Sequence, residues 1–97
     1  MHIMFRCTLK PESVAENLAS LREVYAELES VRPPGLRYAT FQLDDEVTFV
    51  AFADLPDGPG VLRDLAAFQR YRSALDERCV EPPVMTTLHE IGSYRSA

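Results

Sequence analysis

The segment Val47-Thr48-Phe49-Val50-Ala51-Phe52-Ala53 constrains the fold of this chain more than any other. Its β-branched and aromatic content predicts a strand. Strand side chains alternate between two faces, so Val47, Phe49, Ala51 and Ala53 point one way and Thr48, Val50 and Phe52 the other. Both sets are apolar. A strand of this kind belongs in a sheet that is covered on both sides, and one layer of helices covers only one side.

The rest of the chain supplies the partners for that strand. Ile3, Phe5, Cys7 and Leu9 alternate with Met4, Arg6, Thr8 and Lys10, which predicts a first strand with one apolar face. Ser13-Val14-Ala15-Glu16 has the form of a capping box, in which hydroxyl and carboxylate satisfy amide donors at a helix start. Val14, Leu18, Leu21, Tyr25 and Leu28 then recur at spacings that place them on one helical face. Pro33-Pro34-Gly35 stops this helix, since proline lacks a donor and restricts the residue before it. Residues 36–43 and 47–53 read as a hairpin across Asp44-Asp45-Glu46. The stretch Leu55 to Gly60 is a loop; it lacks the Lys and hydroxyl that a phosphate cradle needs. A second helix is expected over 61–79, with a separate short turn at its start as the alternative because Leu62 fits the stripe less well. Pro82-Pro83 follows, and a final strand is expected over 84–94.

Strand, helix, strand, strand, helix, strand folds most simply into a four-stranded antiparallel sheet with both helices on one face. The fold class is therefore α+β, and 97 residues suit one domain spanning 1–97. The uncovered face of such a sheet carries large apolar residues whichever way the strands are turned. Apolar area of this kind marks an interface, and a second copy of the chain is its simplest cover. The plainer alternative is a ligand-lined or merely apolar face on a monomer. Chains of this size bury only roughly 60–65% of their unfolded surface, which also favours assembly.

Charge and composition narrow the partners. The net charge is −5, and the arginines are scattered among acids without a basic stripe, so nucleic acid is not an expected partner. No run approaches the roughly 20 apolar residues of a membrane span, and the apolar run at the start is too short for an export signal. The expected compartment is the cytoplasm, with Cys7 and Cys79 reduced. These two cysteines and His2 and His89 are the only soft metal ligands, and no two share a short spacing, so neither metal nor cofactor is expected.

The strand order, the two breakers, and Leu65-Ala66-Ala67-Phe68-Gln69-Arg70-Tyr71 before a Pro-Pro break and a last long strand resemble the dimeric α+β barrel superfamily. The branch most similar is that of the antibiotic-biosynthesis-monooxygenase-like proteins. The resemblance implies a ferredoxin-like βαββαβ monomer whose sheet packs on its partner's sheet to form a barrel. It also implies a pocket between sheet and helices, with Tyr25, Phe68 and Tyr71 as pocket residues. As plain aromatic residues at helical spacing, these three would simply be core. Haem-degrading relatives combine a strand Asn, a helix Trp and a helix His. This chain has no Trp, no His in its second helix, and Cys7 near the Asn position, which argues against that activity.

His89 is the one histidine inside a predicted element. It is the candidate catalytic base or ligand-orienting donor, since the unperturbed pKa of a histidine side chain lies near neutrality. The plainer reading is an interfacial or half-buried histidine with a satisfied hydrogen bond. Tyr38 and Tyr94 can each offer a hydroxyl. What the resemblance implies is a cofactor-independent monooxygenase-like enzyme acting on a small aromatic, quinol or polyketide-type substrate. The alternative is a non-catalytic module of the same fold, binding a small molecule or serving assembly.

Overall fold

The computed structural model describes residues 1–96 and carries the expected order of elements. The strands are β1 (His2–Thr8), β2 (Arg37–Gln42), β3 (Thr48–Asp54) and β4 (Val84–Leu88). The helices are α1 (Val14–Val31), a single turn α2 (Gly60–Arg63) and α3 (Ala66–Arg78). All strand neighbours are antiparallel, in the order β2-β3-β1-β4. This is the ferredoxin-like α+β arrangement, with α1 and α3 packed on one face of the sheet.

The register fixes which residues meet the helices. Ile3 lies opposite Ala53, Phe5 opposite Ala51 and Cys7 opposite Phe49. These residues share the helix-covered face with Tyr38 and Thr40 of β2 and Met85 of β4. The main core joins Cys7, Leu9 and Phe49 to Leu21 and Val24 of α1 and Tyr71 and Leu75 of α3. A second cluster gathers Ile3, Ala53, Leu55, Leu62 and Leu65 at the other end of the sheet.

The opposite sheet face has no cover. Phe41 is 55% exposed, Phe52 43% and Val84 58%. The Phe41 and Phe52 rings meet edge-on across the β2-β3 pair, 6.1 Å between centroids. The apolar second face anticipated from β3 is thus present, built from Val50 and Phe52 with Phe41 beside them.

Several boundaries depart from expectation. The capping box does not form: Ser13 belongs to a 3-10 turn, Pro11–Ser13, and makes no side-chain cap bond. Its backbone (φ −97°, ψ −6°) is already helical rather than extended, so the hydroxyl is not presented to the first free amides. Asn17, unremarkable in sequence, proves fully buried on α1 beside Leu21 and Val24. The last strand ends at Leu88 and not at Tyr94. Among the described residues its one strand neighbour is β1, whose first residue His2 pairs with Leu88, so the ladder stops where β1 begins. The second helix is indeed divided, with the chain turning at Asp64 and Leu65 between α2 and α3.

Local chemistry explains the other ends. Arg32 adopts a left-handed conformation (φ 51°) and donates its N–H to the Leu28 carbonyl at 2.8 Å, closing α1 before the two prolines. In the hairpin, Asp45 Oδ1 accepts from the Val47 and Thr48 amides at 3.0 and 2.8 Å. Its Oδ2 accepts from the Thr48 hydroxyl at 2.5 Å. These bonds, the Thr48 side chain's first, hold the Asp45 carboxyl below its ordinary value. No helix among the described residues is long and apolar enough to cross a membrane.

Candidate functional site

The helix-covered face of β3 reads Phe49, Ala51, Ala53 and then Leu55. Phe49 fills the space under α1 and α3, whereas the two alanines leave it open. Between them and α3 lies a cavity of about 450 Å³, within the range of small-molecule sites. Its floor is Ile3, Phe5, Ala51 and Ala53 of the sheet. Phe68, Gln69, Tyr71, Arg72 and Ser73 of α3 form its roof. Pro59, Leu62 and Arg63 close one side, and Met85 stands at the β4 edge, where it is 63% exposed.

The break in the second helix makes this wall possible. Leu65 is extended (φ −93°, ψ 118°), so α2 and α3 are not coaxial. The junction is held by two bonds. Glu27 Oε1 of α1 accepts from the Ala67 amide at 2.9 Å, capping α3 from a different helix. The Gln69 side-chain amide donates to the Arg63 carbonyl, tying α3 back to α2.

Aromatic rings line up beside the cavity. Tyr25 and Tyr38 lie 5.6 Å apart between centroids, and Tyr38 meets Phe68 edge-on at 6.3 Å. The Tyr25 and Thr40 hydroxyls are hydrogen-bonded at 2.8 Å. Phe68 and Tyr71 therefore share the cavity, together with Tyr38. Tyr25 does not line it; with Leu28 and Tyr38 it borders a shallower depression beyond Tyr38. His89 lies one residue past β4, exposed, and lines neither. Tyr94 is 92% exposed.

The titrating groups of the cavity are phenols and guanidiniums. Burial pushes the Tyr71 phenol up to about 12, and pushes that of Tyr38 up as well, so both are neutral donors near pH 7. Among the described residues, no group of three or more His, Cys, Asp or Glu could hold a metal ion. Cys7 and Cys79, distant in sequence, pack in one core cluster as free thiols beneath α3. Of the lining, sequence reading named only Phe68 and Tyr71 as pocket residues; those it missed include Arg63, Arg72 and Met85. Each looks like a surface residue by periodicity, and only the open β4 edge turns them toward a shared space.

No family model matches this chain, and no curated protein matches it in sequence. Solved structures do match in shape. An antibiotic biosynthesis monooxygenase superposes with a TM-score of 0.74 at 18% identity, covering 94% of this chain and 98% of the other. The fold is that of the antibiotic-biosynthesis-monooxygenase-like proteins. A Nitrosomonas europaea protein provisionally named as such a monooxygenase gives a TM-score of 0.78 at 18% identity, covering 95% of this chain and 100% of its own. A variant of SnoaB, a cofactor-independent oxygenase from Streptomyces nogalater, gives 0.63 at 20% identity, covering 92% of each chain. At these identities the monooxygenase-like likeness is one of fold.

Proposed function

We propose that this chain takes a small aromatic, quinol or polyketide-type molecule into the cavity beneath α3 and acts on it as a cofactor-independent monooxygenase-like enzyme. The observation that carries the reading is the cavity itself. An apolar space of about 450 Å³ is left open under a helix by two alanines where larger side chains would have packed. An unfilled apolar space costs stability, so its presence favours an occupant. The SnoaB likeness supplies the reaction class. Within such a site, the apolar walls would exclude water and hold the substrate over Ala51 and Ala53. A substrate that is itself easily oxidised needs placement and desolvation more than a strong base.

The working unit in this reading is a homodimer joined through the open sheet face, with Phe41 and Phe52 at its centre. Oxygen uptake over a panel of quinols and anthrones tests the activity. Turnover above buffer is expected, and Ala51→Leu, which fills the cavity floor, should abolish it while the protein stays folded. No turnover with any member of the panel would remove the enzymatic reading. A second reading, non-catalytic binding of the same kind of molecule, is favoured by one observation: the cavity lining holds no histidine or carboxylate to act as a base. Ligand-induced thermal stabilisation without oxygen uptake would select it.

A further inference from the structure

The cavity is apolar in its depth and basic at its mouth. The chain carries fifteen acidic residues against ten basic ones, yet no acid lines the cavity and two arginines do. Three of the nine arginines are ion-paired, Arg32 with Glu29, Arg70 with Glu23 and Arg78 with Glu16, and of those that are not, only Arg63 and Arg72 line the cavity. Among the described residues, neither Arg63 nor Arg72 has an acidic side chain within ion-pair distance, and neither guanidinium donates a hydrogen bond to a protein acceptor.

Arg72 is also held in place. Its Cζ sits 4.8 Å from the centroid of the Phe5 ring, a cation-π contact. A guanidinium over a ring still has its fork of N–H donors free for an acceptor. That fork matches the two oxygens of a carboxylate, and the stacked side chain loses less freedom on making the pair. Phe5 and Arg72 both line the cavity, so the fork stands where an occupant's polar end would emerge. Arg63, on the side wall beside α3, adds positive potential at the same opening.

From this geometry we infer that the site selects an aromatic monocarboxylate, its ring system over Ala51 and Ala53 and its carboxylate paired with Arg72. The inference rests on the cavity being a ligand site and adds the charge of the ligand. A neutral occupant would leave two cations at the rim uncompensated.

Binding of 2-naphthoate and of 2-naphthamide, equal in size and different in charge, separates the two claims. Calorimetric titration of the intact chain at low salt should show the acid binding about tenfold tighter or better, the usual scale of a charge-assisted pair. Arg72→Gln should bring the two probes to within about twofold of each other, a change too small to exceed ordinary surface effects, while leaving the amide's affinity in place. Arg72→Lys, keeping charge and losing the fork, should retain part of the preference. Equal binding of acid and amide by the unaltered chain overturns the carboxylate assignment and leaves the cavity reading standing. Preference that survives Arg72→Gln overturns the role of Arg72. Failure of both probes to bind removes the ligand site, and this inference with it.

Discussion

Asn17 shows how much a single buried residue can organise. It is fully buried in α1, and its Oδ1 accepts from Arg78 Nη1 at 3.4 Å. Arg78 also donates to Ser20 Oγ at 2.9 Å and Glu16 Oε1 at 3.2 Å, so the end of α3 is pinned to the start of α1. The Glu16 carboxylate expected in a capping box is engaged here instead. A second residue-scale effect lies in the thiols. Burial pushes Cys7 from its ordinary value of 9.0 up to about 12, with Cys79 beside it adding to the rise. In the unfolded chain the thiol ionises as pH passes 9, while in the folded chain it stays protonated. Its contribution is therefore intact below pH 9.0 and is lost as pH rises toward about 12. Tyr71, raised from 10.0 to about 12, acts in the same direction. Melting temperature followed from pH 7 to 11 should fall above pH 9. Cys7→Ala should be less stable at pH 7 yet show a shallower alkaline fall; an unchanged slope would contradict this account.

Elements divide into those stated locally and those completed from elsewhere. The stop of α1 at Pro33-Pro34-Gly35 and the hairpin break at Asp44-Asp45-Glu46 depend on neighbours within a few residues, and both are legible in the sequence. The left-handed Arg32 and the Asp45 bonds that complete them are seen only in the structure. The start of α3 is different. Its cap is Glu27, which belongs to α1 and reaches the Ala67 amide through the packing of the two helices. No pattern near Leu65 announces it. Glu27→Ala should cost about 1 kcal/mol, the usual loss for a helix cap, measured by urea unfolding. A cost near zero would mean that solvent satisfies the Ala67 amide equally well. The end of β4 belongs to this class too. Alternation runs on through Tyr94, but a strand extends only as far as a neighbour can pair with it, and β1 begins at His2. His89, placed on a strand by alternation alone, therefore falls outside the sheet and off the cavity.

At the scale of the molecule, the two phenylalanines of β3 separate the core from the proposed interface. Phe49 is 3% exposed among Cys7, Leu21 and Tyr71, whereas Phe52 is 43% exposed on the open face. Phe49→Asp buries an unpaired charge and should leave no folded protein. Phe52→Asp should fold, because its side chain reaches solvent in the single chain, and should sediment as a monomer where the unaltered chain sediments as a dimer. A dimer that persists in Phe52→Asp, or an unaltered chain that is already monomeric, would remove the interface from the open face.

Sequence alone determined the order of elements, the α+β class, the hairpin and the apolar character of both faces of β3. These follow from periodicity and from breakers, which act over distances of a few residues. Tertiary structure decided which face of β3 is covered, where β4 stops, what caps α3, and that two alanines leave a cavity rimmed by Arg63 and Arg72. Each of these depends on atoms brought together from distant parts of the chain. The apolar second face with which the reading of β3 began is now Val50, Phe52 and their neighbour Phe41. The cavity lies on the other side of the same strand, where small residues rather than large ones made the difference.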